Sequence, residues 1–71
     1  MSISEQADYL FKYGEFIADR HHLGSKRLLY LLSEKFYEII YLPHENVIEE
    51  IKLRQVPYIA EYYGDSITLD L

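Results

Sequence analysis

Apolar and polar positions recur in blocks along the middle of the chain. EFIADRHH (15–22), RLLYLL (27–32), FYEIIYL (36–42) and VIEEIKLR (47–54) are separated by LGSK, SEK and PHEN. Aromatic and β-branched blocks at a spacing of about ten residues, with Gly, Ser, Pro or Asn in the gaps, predict an antiparallel meander of four short strands. Ahead of it, Ile3, Ala7, Leu10 and Phe11 fall at helical spacing. Ser2 or Ser4 can cap that helix, Glu5 suits its first turn, and Gly14 suits a left-handed stop. The pattern predicts a helix from about Ser4 to Tyr13. After the meander, Pro57 in the first turn and Gly64 at the end frame a short aromatic helix, PYIAEYYG. Ile67, Leu69 and Leu71 then alternate, as in an edge strand or a surface extension.

The turn chemistry sets a register. Gly24-Ser25 as a type II′ turn places Ile17 and Leu32 on one sheet face with Leu28 and Tyr30, and Phe16, Ala18, Leu29 and Leu31 on the other. A turn around Glu34-Lys35 adds Tyr37, Ile39 and Tyr41 to the first face and Phe36, Ile40 and Leu42 to the second. A three-residue loop after Leu42 pairs Ile39 with Ile51, Tyr37 with Leu53 and Glu38 with Lys52. That register matches apolar to apolar and acid to base.

A three-helix bundle is the competing architecture. Leu29, Leu32, Phe36 and Ile39 also fit a 3-4 spacing, as do Ile3, Ala7, Leu10, Gly14, Ile17 and His21. Two features favour the sheet. FYEIIY is rich in strand formers, and Gly14 inside an unbroken helix costs about 1 kcal/mol. The expected fold is therefore α+β: an N-terminal helix, a four-stranded antiparallel meander and a short C-terminal helix, in one domain spanning 1–71.

FIADRHH leading to RLLYLL, then FYEIIY, NVIEEIKL and a closing YYGDSITLDL resemble a class of short bacterial proteins built as helix, antiparallel meander and helix. The resemblance implies the same fold. It implies no activity, cofactor or site residue.

Composition narrows the chemistry. Seventy-one residues without cysteine, 49% of them hydrophobic, exclude disulfide staples and thiolate metal sites. Eight tyrosines and three phenylalanines are an efficient way to fill a small core. Self-association is another source of buried area. No signal peptide and no membrane-spanning run is apparent, so the expected location is the cytoplasm. The net charge of −5 argues against nucleic acid as a partner.

Catalytic and cofactor signatures are absent from the pattern, and the expectation is a non-enzymatic protein without a cofactor. Asp19, Arg20, His21 and His22 form the densest polar cluster. On a strand His21 and His22 point apart. Asp19 and His21 can share a face, which leaves a two-ligand metal or small-ligand site as the alternative reading. Zinc sites normally use three or four ligands. Tyrosines on one sheet face are read as core with hydroxyls at the rim, rather than as a base-stacking platform. The second face, with Phe16, Leu29, Leu31, Ile40, Leu42 and Ile48 among charged neighbours, has the make-up of a protein interface. The expected function is a protein-interaction module or homodimer, acting as a regulator of a larger partner.

Overall fold

The computed structural model describes residues 2–65. The order of elements is α1 (Ile3–Tyr13), β1 (Glu15–His22), β2 (Ser25–Leu32), β3 (Lys35–Leu42), β4 (Val47–Arg54) and α2 (Val56–Tyr63). The strands form one antiparallel sheet in the order β1-β2-β3-β4. This is the expected α+β meander between two helices, and the helical bundle is excluded. The expected extension through Ile67, Leu69 and Leu71 lies outside the described residues. Among the described residues no helix is long and apolar enough to cross a membrane.

Helix α1 starts where the sequence marks it. The Ser2 hydroxyl accepts from the Glu5 backbone N–H, and the Glu5 carboxylate accepts from the Ser2 backbone N–H, each at 3.2 Å. This capping box satisfies two otherwise orphaned donors. The helix ends differently from expectation. Gly14 is extended (φ −81°), not left-handed, and leads straight into β1. Glycine is needed there for space: a Cβ would lie 2.7 Å from the Leu10 carbonyl oxygen and 3.3 Å from the Tyr30 ring.

The turns correct the first register. Leu23 (φ 47°) and Gly24 (φ 80°) form the β1–β2 turn, so His22 pairs with Ser25. Two consecutive positive φ values are the requirement of type I′, not of the II′ turn expected at Gly24-Ser25. The β2–β3 turn does the same with Ser33 (φ 52°) and Glu34 (φ 65°), without a glycine. Residues 43–46 make the third turn, with Asn46 at φ 54°.

Two bulges then reset the faces. One lies between Phe16 and Ala18 on β1, and the other opposite Ile40/Tyr41 on β4. The first turns Phe16 toward Tyr30, its direct partner, and sends Ile17 and Ala18 to the α2 side. The expected grouping of Phe16 with Leu29 and of Ile17 with Tyr30 is thereby reversed. In β4 the loop of four residues and the one-residue bulge offset each other. Ile39 faces Ile51, Tyr37 faces Leu53 and Glu38 faces Lys52, as the pattern predicts.

Each sheet face carries one helix. On one side α1 buries Ala7 and Leu10, and Ile39 is fully buried in the sheet. On the other, Ile59 and Tyr63 of α2 pack with Ala18 and Leu29, flanked by Ile17, Phe36 and Tyr58.

Candidate functional site

The α2 side of the sheet holds a buried carboxylate. Glu38 sits in the middle of β3, directly opposite Leu29, on the face that α2 covers. Its side chain is fully buried, which is rare for an acid without partners. Strand alternation brings three arginines to it, Arg20 from β1, Arg27 from β2 and Arg54 from β4. Arg54 reaches Glu38 Oε1 with Nη2 at 3.1 Å and Nε at 3.2 Å. Arg27 Nη1 lies 3.4 Å from the same oxygen, and Arg20 Nε lies 3.7 Å from Oε2.

Helix α2 completes the cluster. The Tyr63 hydroxyl donates to Glu38 Oε2 at 2.6 Å, and the Tyr58 hydroxyl donates to Oε1 at 2.9 Å. Tyr58 also accepts from Arg20 Nη2 at 2.8 Å, so one hydroxyl links a guanidinium to the carboxylate. The rings take up the arginines as well. Arg54 lies 4.0 Å from the Tyr58 ring centre, and Arg20 lies 4.7 Å from that of Tyr62. Ile59 and Tyr63, four apart, take the buried side of α2, and Tyr58 and Tyr62, also four apart, lie beside it against Arg20.

Burial pushes the Glu38 carboxyl up, but hydrogen bonds from Tyr63 and Tyr58 and the Arg54 guanidinium more than reverse this, holding it below the usual glutamate value. Burial pushes the Tyr63 hydroxyl far up, and its bond to Glu38 adds to the shift. The carboxylate therefore stays charged and the phenol stays neutral over the whole physiological range. Neither is poised to exchange a proton at neutral pH. The chemistry of the cluster is electrostatic clamping.

The α1 side is different in kind. Two clefts flank the helix. One, of about 210 Å³, is lined by Gln6, Tyr9, Leu10, Leu32, Tyr37 and Ile51. The other, of about 280 Å³, is lined by Phe11, Lys26, Leu28, Ile39, Tyr41 and Ile48. Next to the second, the Tyr30 ring meets Phe11 and Phe16 edge-on, each at 5.6 Å between centres. Phe11 and Phe16 are both about half exposed, as are Tyr9, Tyr13 and Leu53. Burial raises the Tyr30 hydroxyl above its ordinary value.

The six residues expected to form one apolar interface do not lie together. Leu29 is fully buried under α2 and Ile40 is nearly so. Leu31 and Leu42 are half-buried on that same face. Phe16 and Ile48 are on the α1 side, because each bulge shifts its strand by one residue and a one-residue shift inverts the face. The expected Glu38–Lys52 ion pair is also replaced. The two are cross-strand neighbours, but Lys52 Nζ pairs with Glu50 at 3.4 Å, and the arginines hold Glu38. Asp19 pairs with Lys26 at 3.6 Å, and His21, His22 and His44 are exposed. Among the described residues no three histidine, aspartate or glutamate side chains converge as a metal site.

The arginine–tyrosine cluster is not legible in the sequence, because its members are spread from residue 20 to residue 63. A usable signal existed. With the turn at Leu23-Gly24, Arg20 falls opposite Arg27, and two arginines facing each other on an otherwise apolar face call for an acid between them. Compared with known proteins, the chain matches no family model, no curated protein and no solved structure.

Proposed function

We propose that the protein is a non-catalytic protein-binding module, and that it binds through the α1 side of its sheet. One observation carries this reading: the 280 Å³ cleft beside α1, whose lining is apolar or aromatic except for Lys26. Phe11 at its rim and neighbouring Phe16 each rest one edge on Tyr30 and leave about half of their surface exposed. An open apolar cleft with aromatic edges is suited to receive a large side chain from a partner. Lys26 of its lining and the Asp19 it pairs with put one charge of each sign beside it. They favour a defined orientation over general stickiness.

A second copy of the chain is the simplest partner, and a larger protein regulated by this one is the other. Size-exclusion chromatography with light scattering over a wide concentration range separates them. A dimer abolished by Phe11→Ser or Ile48→Asp, with the fold retained, supports self-association through this surface. A monomeric wild type directs the search to a heterologous protein recovered by pull-down. Recovery undiminished by both substitutions would remove the α1 side as the binding surface.

A further inference from the structure

On the opposite sheet face, we propose that the exposed edge of Arg20 and Arg27 is an oxyanion site that takes a phosphate group, free or as a monoester. The argument begins with charge. Three arginines surround one glutamate, a local charge of 3 − 1 = +2. The whole chain carries −5, so everything outside this cluster sums to −7. A positive centre this concentrated in an acidic protein is not a by-product of composition.

Donor supply points the same way. Each guanidinium has five N–H donors, whereas a carboxylate offers about four lone-pair positions. Those of Glu38 are engaged by Tyr58, Tyr63, Arg27 and Arg54. Nε of Arg20 and Nε of Arg27 are buried and have no hydrogen-bond acceptor. The cluster is short of acceptors, and the shortage falls on these two residues rather than on Arg54.

Geometry makes them a pair. Arg20 and Arg27 are direct cross-strand partners in the β1–β2 ladder and lie on one face. Like charges so placed repel. A doubly charged oxyanion between them converts repulsion into attraction and supplies several acceptors at once. Planar guanidinium forks suit phosphate oxygens in geometry as well as in charge. Each arginine keeps 17–18% of its side chain exposed while its Nε is buried, so a ligand arriving from solvent meets the outer part of the fork and not Nε. Their inner contacts, to Tyr58 and Glu38, hold the forks before any ligand arrives. The tilted rings of Tyr58 and Tyr62, 4.5 Å between centres, lie beside Arg20. This site does not depend on the proposed contact surface, which lies across the sheet.

The test is titration of the whole protein with inorganic phosphate and with phenyl phosphate, at constant ionic strength maintained with chloride. NMR of the arginine Nε–Hε groups reports on each guanidinium from its inner side. Saturable shifts confined to Arg20 and Arg27, with a rise in Tm that follows ligand concentration, are the expected result. Arg27→Gln should weaken binding by about tenfold or more, because a charge-assisted fork is lost. It leaves Glu38 with Arg54, Tyr58 and Tyr63. Lys12→Gln removes the same charge on the far side of the molecule and should leave phosphate affinity unchanged. Equal loss in both variants, or shifts that track ionic strength alone, would mean general screening and overturn the site. No saturable shift in the wild type would do the same, with water as the missing acceptor. If Arg27→Gln does not fold, the wild-type Nε–Hε shifts decide. Tighter binding of phenyl phosphate than of inorganic phosphate would identify a monoester as the ligand.

Discussion

Helix α1 carries its own ends, whereas α2 takes its stability from the sheet. The first has eleven residues, a full capping box, Glu5 in its first turn and Lys12 in its last. Those groups satisfy orphan donors and complement the helix dipole. The second has eight residues, no side-chain cap and no charge at either end to match the dipole. A helix that short is not stable alone. What fixes it is Ile59 in the core and two hydroxyls on one carboxylate. The sheet faces differ accordingly. Apolar contact under α1 is non-directional and leaves clefts open. The cluster under α2 is directional and draws four strands and a helix to one carboxylate. A face held by a few strong bonds is spoiled by one substitution. A face held by diffuse contact can stay partly open and serve for binding.

The sharpest way to break this contrast is Glu38→Ala. It leaves three partly buried guanidinium groups facing one another. Removing one partner of a buried ion pair costs about 3–5 kcal/mol. A domain of this size has about 5 kcal/mol to lose, so circular dichroism and urea titration should show a largely unfolded chain. Retention of a folded sheet with only α2 released would mean that the two faces are energetically independent. Acid should act through the same group. The Glu38 carboxyl is held below its ordinary value, so its contribution is complete above about pH 4.5 and fades as pH falls through its lowered value. Tyr63 bounds the other side. Its hydroxyl is raised, so its contribution is complete below about pH 10 and is lost as pH climbs toward its raised value. Urea midpoints measured across this range should fall at both ends, and both slopes should flatten in Tyr63→Phe.

Tyr63→Phe itself removes one hydrogen bond to a charged group, worth about 1.5–3 kcal/mol. Ser2→Ala removes the α1 cap and should cost about 1 kcal/mol. A larger loss from Ser2→Ala than from Tyr63→Phe would reverse the comparison between the helices. Phe11→Ser should cost about 0.5–1 kcal/mol, because the half-exposed ring meets Tyr30 edge-on. The smallest effect belongs to neither face. Leu23→Asn relieves a leucine that is 93% exposed at positive φ and should gain a few tenths of a kcal/mol, read from the urea midpoint.

The sequence announces its elements more clearly than its faces. Element order, the start of α1 and the β3–β4 pairs follow from block spacing, Ser2 and Glu5, and the match of Ile39 with Ile51. The first hairpin does not follow, because glycine sits second in its turn and a leucine occupies the unfavourable first position. The bulges at Phe16–Ala18 and opposite Ile40/Tyr41 leave no mark, since neither contains glycine or proline. For that reason alone Phe16, Ile17 and Ile48 take the faces opposite to those the pattern predicts. Glu38 was visible as a strand residue and as an acid. Its partners were not, because four strands and a helix must be in register before Arg20, Arg27, Arg54, Tyr58 and Tyr63 meet.

The Ser33-Glu34 turn has a consequence in time. A two-residue hairpin normally closes within microseconds and then recruits its neighbours. Here the central hairpin opens on two residues that must both enter the left-handed region, at a penalty of about 1–2 kcal/mol each. The nascent β2–β3 pair gains nothing from its turn and must be held by Leu28 with Ile39 and Tyr30 with Tyr37 before it persists. The β1–β2 hairpin has Gly24 to ease its closure, and it is local as well. The sheet should therefore nucleate at its edge and propagate inward through β2, so the strand that buries Glu38 is added after its arginine partners on β1 and β2 already face each other. The like-charged pair forms first and waits for its acid, which makes the docking of β3 the step that commits the chain to its fold.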